Sequence, residues 1–261
     1  MRLPIGASGR DAAAVARSAA EKAAAIIIDY LPLTKEISYK GTGNIVTQVD
    51  RLSERAIIDE LRADFPRHGI ISEESPAVEG SEPFAWVIDP IDGTTNYALG
   101  LPIFSVSIAL VRDETPLVGL VLDPVRDELF LAVRGGGTSL NGRAIAVSEQ
   151  SELGGAVVGL DLGYDATLRG DVLASTVRMH GDVQSIRLLG SAVLGLAYVA
   201  AGRLDLYFHR LLYPWDLAAG ALLIREAGGT VVDWGGVPIA VGRSSVVAGT
   251  PGLVQAFIRK E

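Results

Sequence analysis

Phe84-Ala85-Trp86-Val87-Ile88-Asp89-Pro90-Ile91-Asp92-Gly93-Thr94-Thr95-Asn96 is the stretch from which the rest of the chain is best read. Phe84 to Ile88 is short, largely apolar and rich in aromatic and β-branched residues, which predicts a buried strand. Pro90 removes a backbone donor and biases Asp89 toward extended geometry, so the ladder is expected to stop here and the chain to turn through Asp92-Gly93. Both carboxylates then face one pocket at the sheet's edge. Thr94, Thr95 and Asn96 are residue types that start helices, and the free N–H groups and positive dipole end of a helix start suit a phosphate.

An Asp-Gly pair is also an ordinary turn, and the chain contains its own comparison. Asp123-Pro124-Val125-Arg126 follows another apolar run, Leu117 to Leu122, but Arg126 stands where a second carboxylate would be needed, so Asp123 reads as a turn residue. Phosphatases that form an aspartyl-phosphate use carboxylates two apart on a strand end. The spacing of three here, with a proline between, favours metal ligands over a covalent nucleophile.

With 261 residues the chain is long enough for one large domain or two packed ones, at about 150 residues per domain. It has no cysteine, which removes disulfides, thiolate zinc sites and a cysteine nucleophile, and leaves the cytosol as the default compartment. His68, His180 and His209 are scattered and lack the paired spacing of a histidine zinc site, so any metal is expected to be oxygen-bound, Mg²⁺ or Mn²⁺. The net charge of −8 and the lack of a basic run argue against a nucleic-acid surface. The alanine-rich stretch Asp11 to Leu31 carries Arg17, Glu21 and Lys22, as a helix in water does, and neither it nor any other window reads as a membrane span.

Helices are expected over about 11–30 and 50–65, with a polar stretch from Thr34 to Gly43 between them. Strands follow near 69–72, 84–89, 103–111, 117–122 and 128–133, with Gly135-Gly136-Gly137 and Asn141-Gly142 as turns. The glycine triplet lacks a following Lys-Ser/Thr, so it reads as a turn. Beyond it, strands near 156–161, 184–188, 204–209, 229–233 and 245–248 alternate with helices near 167–179, 190–201 and 215–227. The fold class is α/β: an α+β first half, 1–145, packed on an α/β second half, 146–261, as one unit.

Three further acidic pieces are weak alone. Glu73-Glu74-Ser75 follows a predicted strand, Asp50 reads as a helix N-cap after Asn44 to Val49, and Asp216 lies in the first turn of the helix Trp215-Asp216-Leu217-Ala218-Ala219-Gly220. Taken together with Asp89-Pro-Ile-Asp92-Gly-Thr-Thr-Asn, Asn44-x-Val46-Thr47-x-x-Asp50, Gly190-Ser191-Ala192 and Glu226-Ala227-Gly228-Gly229, their order and spacing resemble the inositol monophosphatase family over nearly the whole chain. The resemblance implies a layered αβαβα sandwich, often homodimeric, in a Mg²⁺-dependent, lithium-sensitive phosphomonoesterase superfamily that includes fructose-1,6-bisphosphatases and nucleotide 3′-phosphatases. It also implies roles for residues. Glu73, Asp89, the carbonyl of Ile91, Asp92 and Asp216 would be metal ligands. Thr94 and Asp50 would orient or deprotonate the attacking water with help from Glu73. The Gly93 and Thr94 amides would hold phosphate, and Gly190, Ser191 and Ala192 would line a sugar or cyclitol pocket. The chemistry is consistent: crowded carboxylates repel unless cations neutralise them, and paired cations activate water and stabilise a leaving alkoxide.

The sequence departs where inositol-specific members resemble one another in having a glutamate that grips ring hydroxyls. His209, followed by Arg210, falls at that position. Such side chains prefer anionic partners, which brings in a substrate with a second phosphate, such as fructose 1,6-bisphosphate; a shifted loop with Arg210 on the surface is the alternative. Tyr164 and Asp165 lie in another segment that could line the pocket, and Lys40 belongs either over the metal site or in solvent. The expected activity is hydrolysis of a small phosphorylated cyclitol or sugar, with a fructose-1,6-bisphosphatase or bifunctional enzyme as the alternative. A metal-binding regulatory or interaction protein is the alternative of another class.

Overall fold

The computed structural model describes residues 3–41, 43–242 and 244–261. Helix α1 (Ala12–Tyr30) starts where Asp11 accepts from the Ala14 amide at 2.8 Å, and it buries Val15, Ala16, Ala19, Ala20, Ala23 and Ile27 along one side. The polar stretch that follows is a hairpin, β1 (Ile37–Gly41) and β2 (Asn44–Thr47), antiparallel. Every residue of β1 is exposed, so no buried face marked it in the sequence. Helix α2 (Gln48–Asp64) is capped by Thr47, and Asp50 is its third residue rather than its cap, closing a capping box with the Thr47 amide.

The next strands are β3 (Gly69–Ser72) and β4 (Phe84–Asp92); a short helix α3 (Thr94–Leu99) leads to β5 (Ser105–Arg112), β6 (Thr115–Asp123), β7 (Glu128–Val133), β8 (Gly137–Leu140) and β9 (Arg143–Ala144). They form one seven-stranded sheet in chain order, with β3 parallel to β4 and every later neighbour antiparallel. In the turn before β8, the Gly135 and Gly137 amides donate to Glu226, so this glycine run holds a carboxylate of its own chain.

The second sheet comprises β10 (Val157–Leu160), β11 (Ser185–Leu188), β12 (Leu206–Leu212), β13 (Thr230–Val232) and β14 (Ser244–Gly249), in the order β11-β10-β12-β14-β13. Between and after them run α4 (Ala166–Met179), α5 (Ala192–Ala200), α6 (Pro214–Glu226) and α7 (Pro251–Lys260). The sequence reading did not place α7, although Thr250 as cap, Pro251 in the first turn and the spacing of Leu253, Val254 and Phe257 signal it.

Alternation along the strands assembles the layers. Trp86, Ile88, Ile108, Leu110 and Leu120 face α1 and α2, whereas Val87, Ala109, Val121 and Phe130 face α5 and α6. Tyr207, Val246 and Ala248 of the second sheet meet α5 and α6 from the other side, while Phe208, Val247, Val158 and Leu160 pack on α4 and α7. The result is the expected αβαβα sandwich. Among the described residues no helix is long and apolar enough to cross a membrane.

Candidate metal centre

In a regular strand, residues three apart point to opposite faces. The chain evades this at Pro90. The sheet ladder does not stop at Asp89; it continues to Asp92 with a register shift, so that Asp89 pairs with Ser107 and Asp92 with Ser105. Three steps on β4 oppose two on β5, and this extra residue brings both aspartates to one side. Gly93 then turns with φ 91°, and a Cβ there would lie 2.9 Å from the Ile103 carbonyl oxygen and 3.1 Å from that of Gly190. Only glycine fits.

Asp216 arrives from the other half of the chain. Pro214 opens α6, and Asp216 accepts from the Tyr213 amide at 2.7 Å. The small residues that follow let the helix lie close to its neighbours: a Cβ on Gly119 of β6 would meet the Ala219 carbonyl at 2.8 Å, and one on Gly220 would meet Leu196 of α5 at 2.7 Å. Ser107 Oγ donates to the Trp215 carbonyl at 3.1 Å, tying the start of α6 to the start of β5.

Carboxylate oxygens of Asp89, Asp92 and Asp216 thereby lie within 4.8 Å of one another. Asp89 accepts from the Ile91 amide, and Asp92 Oδ2 accepts from the Ser191 hydroxyl and the Val193 amide at the start of α5. The second oxygen of each of the three aspartates has no protein donor among the described residues. Burial raises the Asp89 carboxyl well above the ordinary range, and the charges of Glu73, Asp92 and Asp216 add to this. Burial likewise pushes Asp92 up to about 7 against its two hydrogen bonds, and raises Asp216 together with the charge of Asp92. A set of hard oxygen donors, crowded and short of positive charge, suits a divalent cation such as Mg²⁺ or Mn²⁺.

Glu73 stands just past β3, its amide donating to the Ile88 carbonyl at 3.3 Å, beside the end of β4. Lys40 of the hairpin bonds Glu73 at 2.9 Å and also Glu74. Of its two expected places it therefore takes the one at the site. Burial pushes Glu74 up to about 7, opposed by Lys40. On the other flank, the Thr94 hydroxyl donates to Asp50 Oδ1 at 2.9 Å, with the Ile91 carbonyl a second acceptor at 3.0 Å. Thr47 donates to the other Asp50 oxygen through its amide and hydroxyl.

Gly190, Ser191 and Ala192 border this centre through α5. The Ser191 hydroxyl is committed to Asp92, the Gly190 amide donates to Asp161 Oδ1 at 2.6 Å, and Ala192 is buried. His209 is buried as well, whereas Arg210 does not join it. Along β12 the two alternate, and Arg210 faces α4, where it bonds Asp171 at 2.8 Å and lies 4.4 Å over the Trp234 ring. Of the two places the sequence leaves open for Arg210, it takes the one away from His209, against α4. The sequence alone gives no role to Thr47, Gly163 or Tyr207; Tyr164 shares a hydrogen bond with Thr95 and lies in the field of Glu73, Asp92 and Asp216.

The layered fold and its acidic cluster define an α/β frame with a site suited to a divalent cation. The chain belongs to the inositol monophosphatase family, whose sequence profile matches residues 10–261. It is 43% identical to the Nus factor SuhB of Escherichia coli (strain K12) over 229 residues, 87% of this chain and 86% of that one. It is 41% identical to an inositol-1-monophosphatase of Mesorhizobium japonicum over 226 residues, covering 86% and 85%. The crystal structure of the extragenic suppressor protein suhB from Bartonella henselae superposes with a TM-score of 0.92 at 35% identity, over 95% of this chain and 96% of that one.

Proposed function

We propose that the protein is a Mg²⁺-dependent phosphomonoesterase that hydrolyses a small phosphorylated cyclitol or sugar, such as inositol monophosphate, by direct attack of water. The observation that carries this reading is the Asp89–Asp92–Asp216 cluster, two of its members buried and Asp216 half-buried, its carboxylate oxygens within 4.8 Å of one another, beside the Thr94–Asp50 hydrogen bond. Asp89, Asp92, Asp216, Glu73 and the Ile91 carbonyl would hold the cations. A divalent cation there supplies charge to the phosphoryl oxygens and lowers the pKa of water. The protein's own part is to place and deprotonate. Thr94 Oγ gives its hydrogen to Asp50, whose carboxyl burial raises, and so turns a lone pair toward a water standing at the site. Asp50 is fixed for this by Thr47, and Gly93 brings the amides at the start of α3 within reach of a phosphate.

Names among the relatives favour a second reading, a regulatory or interaction protein, since one relative is called a Nus factor and another an inositol-1-monophosphatase. One assay separates the two. Phosphate release from inositol 1-phosphate, fructose 1,6-bisphosphate and adenosine 3′,5′-bisphosphate is measured with Mg²⁺, with and without Li⁺. Mg²⁺-dependent, Li⁺-inhibited release is expected, and no release from any of a broad panel of phosphate esters would sink the enzyme reading.

A further inference from the structure

Asp161 is a buried carboxylate just past β10 that neither the acidic cluster nor the Thr94–Asp50 pair uses. Its two oxygens serve different elements. Oδ1 accepts from the Gly190 amide at 2.6 Å, in the turn before α5, and Oδ2 accepts from the Tyr207 hydroxyl of β12 at 2.9 Å. Tyr207 is a rigid support, because its ring lies over two glycines: a Cβ on Gly195 of α5 would lie 2.6 Å from Cδ2, and one on Gly159 of β10 3.0 Å from the same atom. Burial raises its phenol well above the ordinary range, so it stays a donor. Burial also pushes the Asp161 carboxyl up to about 6, against the bonds from Gly190 and Tyr207.

The turn that Asp161 holds is the one that holds Asp92. Gly190 takes φ 72°, and a Cβ there would lie 2.8 Å from Asn96 Nδ2, which leaves no room for a side chain. From the α3 side, that same Asn96 nitrogen donates to the Leu189 carbonyl at 2.8 Å. One residue further on, the Ser191 hydroxyl donates to Asp92 Oδ2, as does the Val193 amide. A shift of Gly190 therefore reaches the donors of Asp92 within three residues. The charge of Asp161 is felt at Asp92 as well, which it raises, so placement and charge have to be told apart.

We infer that Asp161 is a positioning residue of the metal centre: backed by Tyr207, it fixes the Gly190–Ser191 turn so that Ser191 and Val193 hold Asp92 ready for a divalent cation. The role rests on the metal centre within the proposed function. A ligand oriented in advance spares the cation the cost of ordering it, and the groups that orient ligand carboxylates typically change metal affinity by about 10- to 100-fold when removed. Asp161 acts through Ser191 and belongs at the lower end of that range.

The test reads Mn²⁺ binding directly, from the EPR signal of the free ion, for wild type, Asp161→Asn, Asp161→Glu, Asp161→Ala, Ser191→Ala and the double variant Asp161→Ala/Ser191→Ala. A thermal midpoint in EDTA and phosphate release from inositol 1-phosphate are recorded beside it. Asp161→Asn keeps an oxygen for the Gly190 amide and offers an N–H to the Tyr207 oxygen, so its Mn²⁺ affinity should stay within about threefold of wild type. Asp161→Glu keeps the charge but is longer by one methylene, and should lose about tenfold, as should Asp161→Ala. The double variant should bind about as Asp161→Ala does, because both changes act on the same oxygen of Asp92. Affinity retained in Asp161→Glu and lost in Asp161→Asn would assign the effect to charge and overturn the positioning role. A lowered thermal midpoint with unchanged Mn²⁺ affinity in Asp161→Ala and Asp161→Glu would overturn it in favour of a structural role, and additive losses in the double variant would overturn transmission through Ser191. If Asp161→Ala does not fold, the order of Asp161→Asn and Asp161→Glu decides. A wild type that binds no Mn²⁺ overturns the metal centre and this role with it, whereas Mn²⁺ binding without phosphate release from any ester overturns the enzyme reading and leaves the variants to decide the role of Asp161.

Discussion

Asp89-Pro90-Ile91-Asp92 and Asp123-Pro124-Val125-Arg126 both carry Asp-Pro late in or at the end of a buried strand, and three residues after the aspartate they differ in the sign of one charge. Asp123 is fully buried and fully satisfied. One oxygen accepts from the Val125 and Arg126 amides at 3.0 Å each, and the other pairs with the Arg126 guanidinium at 2.9 Å. Asp89 has the matching turn bond, from the Ile91 amide at 3.0 Å, but a second carboxylate stands in place of the arginine, and Asp216 is added to it. Lys40, whose charge acts on Asp216, is spent on Glu73 and Glu74. Stability alone would neutralise a buried charge as the second turn does; a cluster left negative marks a place where something positive binds.

Removing one of the charges that set the two turns apart should have the largest effect, and it should act with opposite sign on activity and stability. Asp92→Asn is expected to lower kcat/KM about 10³-fold, through loss of a charged ligand. In EDTA the same variant should resist urea better than wild type, because one member of a repelling set has become neutral. A variant with more than a tenth of wild-type activity, or one less stable than wild type without metal, contradicts the assignment.

Cation and pH together sharpen the comparison. The Asp92 carboxyl sits near 7 in the fold against an ordinary 3.8, so between those values the native chain binds more protons than the unfolded one. The contribution of this carboxyl to the stability of the metal-free protein then falls as pH rises from about 4 to 7. Mg²⁺ at about 100 times its Kd should restore about 2.7 kcal/mol at pH 7.5 and far less at pH 4.5, where the carboxyls hold protons. Urea midpoints at the two pH values with and without Mg²⁺ measure this, and a gain independent of pH would count against a carboxylate site.

Much of this contrast was legible in the sequence because charge at a fixed offset from Asp-Pro needs no coordinates. The strands and helices of the layers were legible too, since apolar periodicity reports which face is buried. Three features were not. The meeting of Asp89 and Asp92 is expected from the sequence, but its means is not: the ladder runs on past Asp89 and a register shift at Pro90, a property of pairing with β5 rather than of β4 alone, brings the two together. The hairpin carrying Lys40 buries nothing in β1 and so has no pattern. The side taken by Arg210 stays open in the sequence because its direction depends on alternation along β12, and a guanidinium next to a site residue reads the same whichever face it occupies.

The balanced turn can be broken in the reverse direction. Arg126→Gln withdraws the cation from buried Asp123 and should lower stability by about 1.5 to 2 kcal/mol, discounted because the Arg126 side chain is 40% exposed. Its urea transition should shift equally with and without Mg²⁺, since the turn holds no cation site. A Mg²⁺-dependent difference would show that the two turns are less distinct than their charges imply.

The smallest effect is expected one layer out from the metal centre. Ser191 does two things with one hydroxyl: it donates to Asp92, and it accepts from the Leu194 amide at 3.4 Å as the cap of α5. Ser191→Ala leaves every carboxylate in place, so the reaction should survive, with Mg²⁺ affinity about tenfold weaker because Asp92 is less firmly oriented. Loss of the cap should lower stability by about 1 kcal/mol. The two roles separate in Ser191→Gly, since glycine at an N-cap gives up only a few tenths of a kcal/mol while losing the same bond to Asp92. Mg²⁺ affinity that recovers in Ser191→Gly would mean that the hydroxyl serves the helix and not the site; affinity weak in both variants places Ser191 with the aspartate it holds.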